Sequence, residues 1–342
     1  MNPEPTEPAP RDATADLLKG TAVVLMIQVH LMELFALPAV FDGWAGKLSL
    51  FLGGPPAAAV FMAVMGYYVA ASPRSAGSLV WRGLKLIGLG VLLNLGLNAH
   101  LLWKIHSGVI ALNHWSYVLG VDILFLAGAS TILLAALRRS VVLPAAAAVI
   151  IVLLAPWATT ALTTASPARW AFAFVGGAYE WSYFPWFPWL AYPLLGFAWR
   201  QLQPRIPAGA QRWTAVACAA VAAATGSYAV AVSHDLPRYY HHDPRFFLWT
   251  CAFLAAWASL HQACAARCGN AAPVRWLTGI GRNVTACYVL QWLLIGNIAT
   301  SLFRSESLLH WGLWVIAIVT ATSLFSMALT RRAAAARQGD VP

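Results

Sequence analysis

The chain has 342 residues, of which 60% are hydrophobic and only 10% charged, with a mean hydropathy of +0.66 and a formal net charge of +10. That balance excludes a water-soluble enzyme and identifies an integral membrane protein. The positive charge does not point to nucleic acid, because no soluble basic domain exists to bind it.

Residues 1–16, MNPEPTEPAPRDATAD, are rich in proline and acid and are predicted to form a disordered cytoplasmic leader. No cleavable signal is expected, since Lys19 opens the first apolar block directly. A spanning helix needs roughly 20 apolar residues at about 1.5 Å each. On that measure ten blocks follow one another, at 20–40, 50–72, 83–103, 116–137, 141–163, 185–199, 213–233, 247–265, 284–303 and 310–330. Their hydrophobicity is continuous, not alternating, which argues against a barrel. The expected fold is therefore an all-α polytopic membrane bundle of about ten helices. It occupies residues 17–332, with a cytoplasmic tail at 333–342.

Charge orients this bundle. With a cytoplasmic N-terminus, Lys47, Lys104, Arg169, Arg238, Arg245 and Arg304 are the only outer members of the 22 lysines and arginines. The positive-inside rule then places both termini in the cytoplasm, with a basic collar facing anionic lipid or an anionic cosubstrate. The 5 cysteines lie within spans or near the cytoplasmic side and suggest no disulfide framework. Cys264 and Cys268 sit one helical turn apart with only His261 nearby, so packing is favoured over a metal site.

Intramembrane polar groups are few. The first block, LLKGTAVVLMIQVHLMELFALP, contains Gln28, His30 and Glu33; Asp122 lies in the fourth block and Glu180 just before the sixth. An ionisable side chain within a span costs a few kcal/mol, so it marks function by default, the alternative being a polar clamp between helices. His30 and Glu33, three residues apart, share a helix face. A carboxylate beside an imidazole holds one tautomer and supports proton transfer near neutral pH. Asp122 competes with Glu33 as that partner. Lys19 precedes His30 by about 16 Å of helical rise, so it marks the inner surface while the imidazole lies past the midplane. Arg82 and Lys85 open the third block in WRGLKLIGLGVLLN. They suit a phosphorylated cosubstrate, although spacing alone favours topological anchoring, which explains them with no ligand at all.

Four patches together resemble the transmembrane acyltransferase superfamily, which includes acyltransferase family 3 and the heparan-alpha-glucosaminide N-acetyltransferase-like proteins. DLLKGTAVVLMIQVH matches the opening in which a basic residue, Lys19, precedes a histidine, His30, by a fixed step. WRGLKLIGLGVLLN resembles the basic start of the third span. YFPWFPWLAYPLLGFAWR at 183–200 resembles the Pro-Trp segment of the heparan-type branch, and GRNVTACYVLQWLL at 281–294 its late Gly-Arg-Asn span. Lys85 replaces a second arginine and Gln291 a histidine found in many relatives.

The resemblance implies an acyl-CoA donor, with acetyl-CoA expected, bound from the cytoplasm at Lys19, Arg82 and Lys85. It also implies a sugar or glycan acceptor reached from outside. His30 would act as general base or transient acyl carrier, oriented by Glu33 or Asp122. Asn113, His114, Glu180 and Tyr183 are the expected acceptor contacts. The remaining partners are membrane lipids and, as an open option, a second copy of the chain; the setting is a bacterial inner membrane. A proton-coupled transporter using His30, Glu33 and Asp122 is the competing class.

Overall fold

The computed structural model describes residues 12–339, so positions 1–11 of the expected leader and 340–342 of the expected tail lie outside the described residues. The first helix, α1 (Ala13–Leu34), starts earlier than its apolar block because the carboxylate of Asp12 accepts the N–H groups of Thr14 and Ala15 at 2.9 and 3.2 Å. α2 (Trp44–Gly53) runs through a π-helical segment at Gly54–Ala59 into α3 (Val60–Ala71). Pro55 and Pro56 have no N–H to donate, which disfavours regular α-helical bonding there.

The chain continues through α4 (Ala76–Leu97), α5 (Ile123–Leu137), α6 (Val142–Leu162), α7 (Ala191–Leu202), α8 (Ala208–Ala224) and α9 (Gly226–His234). It ends with α10 (Pro244–Cys268), α11 (Ala272–Arg282), α12 (Val284–Leu302) and α13 (Leu308–Gly339). The described residues form no named strand. Among the described residues, six helical stretches are long and apolar enough to cross a membrane: α1, α2–α3 together, α4, α6, α12 and α13. The pair α8 and α9, bent by 63°, makes up to 7 if counted as one span. The other three expected spans, of the ten read from the sequence, are not reached on these criteria. α5 has 15 residues and α7 has 12. α10 has 25, but His261 and Gln262 interrupt its apolar run.

Small residues set the tightest helix crossings. A Cβ on Gly20 of α1 would lie 1.8 Å from the Leu277 carbonyl oxygen of α11, and one on Gly281 1.8 Å from the Asp16 oxygen. Gly66 and Gly196 play the same part between α3 and α7, as do Gly83 and Gly128 between α4 and α5. Gly53 lets the end of α2 lie against Val29, since a Cβ there would fall 2.2 Å from the Val29 Cβ. Val29 immediately precedes His30. The far end of α1 is closed by the 303–307 loop: Arg304 N–H donates to Leu34 O at 2.9 Å and Glu306 N–H to Phe35 O at 2.8 Å.

Candidate active site

Three polar residues of α1 have different fates. Gln28 is a clamp: its Nε2 donates to Leu25 O at 2.8 Å and Ser49 O at 3.0 Å, while Ser49 Oγ donates back to Gln28 Oε1 at 2.5 Å. His30 and Glu33 instead line a narrow pocket between α1, the end of α2 and the π segment. Ser233 from α9, Tyr239 and Tyr240 from the short helix Leu236–Tyr240, and Tyr288 from α12 complete its polar wall; Met26, Val29, Ile123 and Phe184 supply apolar lining. The π segment thus opens where Gly53, Gly54 and Ala58 face this pocket.

Three buried polar atoms at this pocket have no hydrogen-bond partner among the described residues: His30 Nδ1, Ser233 Oγ and Tyr239 Oη. A buried unpaired donor or acceptor costs about 1–3 kcal/mol, so three in one pocket mark a polar site that bound water or a polar ligand satisfies. The imidazole of His30 packs on Trp292 of α12, ring centroids 4.0 Å apart. Asp122 does not reach His30 by any hydrogen bond; one oxygen caps α5 by accepting Leu124 N–H at 2.8 Å, and the other accepts Tyr288 Oη–H at 2.5 Å. Its place is fixed by the adjoining chain, where Val121 N–H donates to Trp181 O at 2.7 Å and Phe184 N–H to Val121 O at 3.0 Å. Trp189 Nε1–H holds Tyr240 O at 2.8 Å.

Behind this wall sits His242, which is 1% exposed. Its Nδ1 lies 2.8 Å from Tyr239 O and must donate, so Nε2 accepts from Tyr192 Oη–H at 2.9 Å. Burial pushes its pKa down to about 4, so the ring is neutral and structural near neutral pH.

The other sequence-predicted residues fall elsewhere. Lys19 forms an ion pair with Asp16 at 2.7 Å and lies over the Tyr68 ring. Arg82 and Lys85 are exposed on α4, with Lys85 Nζ 5.4 Å from the centre of the Trp81 ring. Asn113 accepts Trp115 N–H at 3.1 Å, a capping role, and His114 packs on Trp115. Neither they nor exposed Glu180 line the pocket; Tyr183 reaches it only through its ring contact with Tyr240, at 5.4 Å. Gln291 is fully buried, with no partner for its amide among the described residues. No group of three or more His, Cys, Asp or Glu among the described residues is arranged to hold a metal.

Sequence reasoning did not assign Ser233, Tyr239, Tyr240, Tyr288 or Trp292 to the site. Tyr288 and Trp292 stand in the quoted CYVLQWLL patch, and their i, i+4 spacing was the available signal.

A family model described as heparan-alpha-glucosaminide N-acetyltransferase, catalytic, matches residues 11–244. No curated protein and no solved structure matches the chain. The match supports the heparan-type branch of the resemblance, with no corresponding match to acyltransferase family 3, and gives a transporter no support.

Proposed function

Because this chain belongs to the heparan-alpha-glucosaminide N-acetyltransferase catalytic family, we propose that it moves an acetyl group from cytoplasmic acetyl-CoA to the amino or hydroxyl group of an extracytoplasmic sugar or glycan. The observation that carries the reading is the half-buried His30, its Nδ1 unpartnered, in a pocket with Glu33 and three tyrosines. An imidazole held against Trp292 with a nitrogen left open is suited to accept a proton or an acyl group. Glu33 is its companion in the pocket, and Asp122 acts through Tyr288.

The donor approaches from the basic face. Arg82 and Lys85, exposed and charged, are the groups for the CoA phosphates, whereas Lys19 serves mainly by anchoring α1 through Asp16. Asn113, His114, Glu180 and Tyr183 form the outer approach for the acceptor. The direction calls for both termini in the cytoplasm of a bacterial cell, with α5, α7 and α10 as short or polar spans that bring the total to ten.

Sided proteoliposomes test this. With the N-terminus facing outward, acetyl-CoA added outside and glucosamine trapped inside, the expected product is N-acetylglucosamine in the lumen. Product only when both substrates share one side would overturn the transmembrane direction. Replacing Arg82 and Lys85 together by Ala is expected to raise the KM for acetyl-CoA roughly 10–100-fold, from lost charge-assisted hydrogen bonds. An unchanged KM would return both residues to anchoring.

A further inference from the structure

We propose that Tyr288 is a further catalytic residue, the group that takes the proton from the acceptor as it attacks, with Asp122 as the positioning carboxylate that draws the tyrosine's own proton. The inference rests on the acetyl-transfer reading and adds to it a base distinct from His30. Tyr288 lines the pocket with its hydroxyl hydrogen already committed to Asp122 at 2.5 Å. A phenol that donates to a carboxylate offers the pocket only a lone pair, so Tyr288 can accept a proton there but has none to give. Asp122 is placed to receive one, because Leu124 N–H holds its second oxygen and so fixes the first on Tyr288, in a side chain buried at 8% exposure.

The arrangement brings together distant parts of the chain. Tyr288 and Asp122 are 166 residues apart. Tyr288 and Trp292 both lie beyond residue 244, where the family match ends. One turn of α12 therefore presents both the ring that holds His30 and the hydroxyl held by Asp122. With two proton-handling groups in one pocket, His30 is free to act on the donor side while Tyr288 acts on the acceptor.

The step balances as follows. The nitrogen of a neutral amine attacks the acyl carbon and a C–N bond forms. One amine proton passes to Tyr288 Oη as the phenolic proton passes to Asp122. The bond from the acyl carbon to the thioester sulfur breaks with its electron pair, and CoA leaves as thiolate. Asp122 then returns its proton through Tyr288 to water. If the acyl group has first moved to His30, the bond that breaks is instead to the imidazole nitrogen, and the proton path is the same.

The experiment compares two acceptors of different acidity, glucosamine and hydroxylamine, using purified full-length protein in nanodiscs with acetyl-CoA as donor. Hydroxylamine is a strong nucleophile in its neutral form and depends less on a base. Tyr288→Phe is expected to lose 100-fold or more in kcat with glucosamine, on the order of one general-base contribution, but less than about tenfold with hydroxylamine. Asp122→Asn should show the same acceptor-dependent split, and a thermal melt establishes that each variant is folded. Equal losses with both acceptors, or no loss with either, would overturn the role of Tyr288. Wild type inactive with both acceptors, or His30→Ala as active as wild type, would overturn the acetyl-transfer reading itself.

Discussion

The two ends of α1 carry similar chemistry and treat it in opposite ways. At the start of the helix, Asp16 is 1% exposed yet holds Lys19 at 2.7 Å, with Arg282 at 3.9 Å, and Gly20 and Gly281 press the backbones of α1 and α11 together around them. Toward its end, His30 and Glu33 face a pocket, and the polar atoms there include three without a partner. Ionisable residues in a membrane helix are thus not functional as a class. Those whose bonds are met by other helices build the bundle, and those left open at the pocket are the candidates for chemistry. Gln28, between the two ends, falls with the first group because Ser49 answers both sides of its amide.

The contrast predicts which substitutions separate activity from stability. The largest effect is expected for His30→Ala, a loss of about 10²–10⁴-fold in kcat with the melting temperature unchanged or raised, since a buried unpaired atom is removed. A melt that falls with activity would place His30 among the structural residues. Next comes acidification. His242 has its pKa lowered to about 4 in the folded chain against about 6.5 unfolded, so the unfolded state binds more protons between those values. Stability is full above pH 6.5 and declines as pH falls toward 4, by about 3 kcal/mol from this group. His242→Gln should flatten that decline, measured as melting temperature against pH, and an undiminished decline would assign it to other groups.

Gly20→Val should lower stability by about 1–3 kcal/mol or more through overpacking against the Leu277 carbonyl. Specific activity of the folded fraction should stay near wild type, and a selective loss of kcat would extend the site to the first turns of α1. The smallest effect is expected for Gln28→Leu, about 1–2 kcal/mol from the lost clamp to Ser49, again with kcat unchanged.

Much of the bundle was legible because span length and apolarity are local properties. The blocks at 141–163 and 284–303 match α6 and α12 within a residue at each end. The blocks at 185–199 and 247–265 were read by the same rule, but Pro185 and Pro188 confine the first, and His261 and Gln262 lower the hydropathy of the second. His30 and Glu33 were legible as a pair because i, i+3 spacing survives in any helix. The hydrogen bond between Asp122 and Tyr288 was not, because its partners lie 166 residues apart. Tyr239, Tyr240 and Trp292 look the same in sequence whether they fill a core, face lipid headgroups or line a pocket. Only the packing of α1 against α12 and the short helix Leu236–Tyr240 distinguishes them.

The most direct measurement is acetyl transfer from labelled acetyl-CoA to glucosamine by purified wild type, His30→Ala and Gln28→Leu, each paired with a thermal melt in the same nanodiscs. The expected result is a crossed pattern: His30→Ala melts like wild type and loses 100-fold or more in transfer, while Gln28→Leu melts earlier and transfers normally once scaled to folded protein. Transfer by His30→Ala at the wild-type rate would contradict the assignment of the open end of α1 to chemistry.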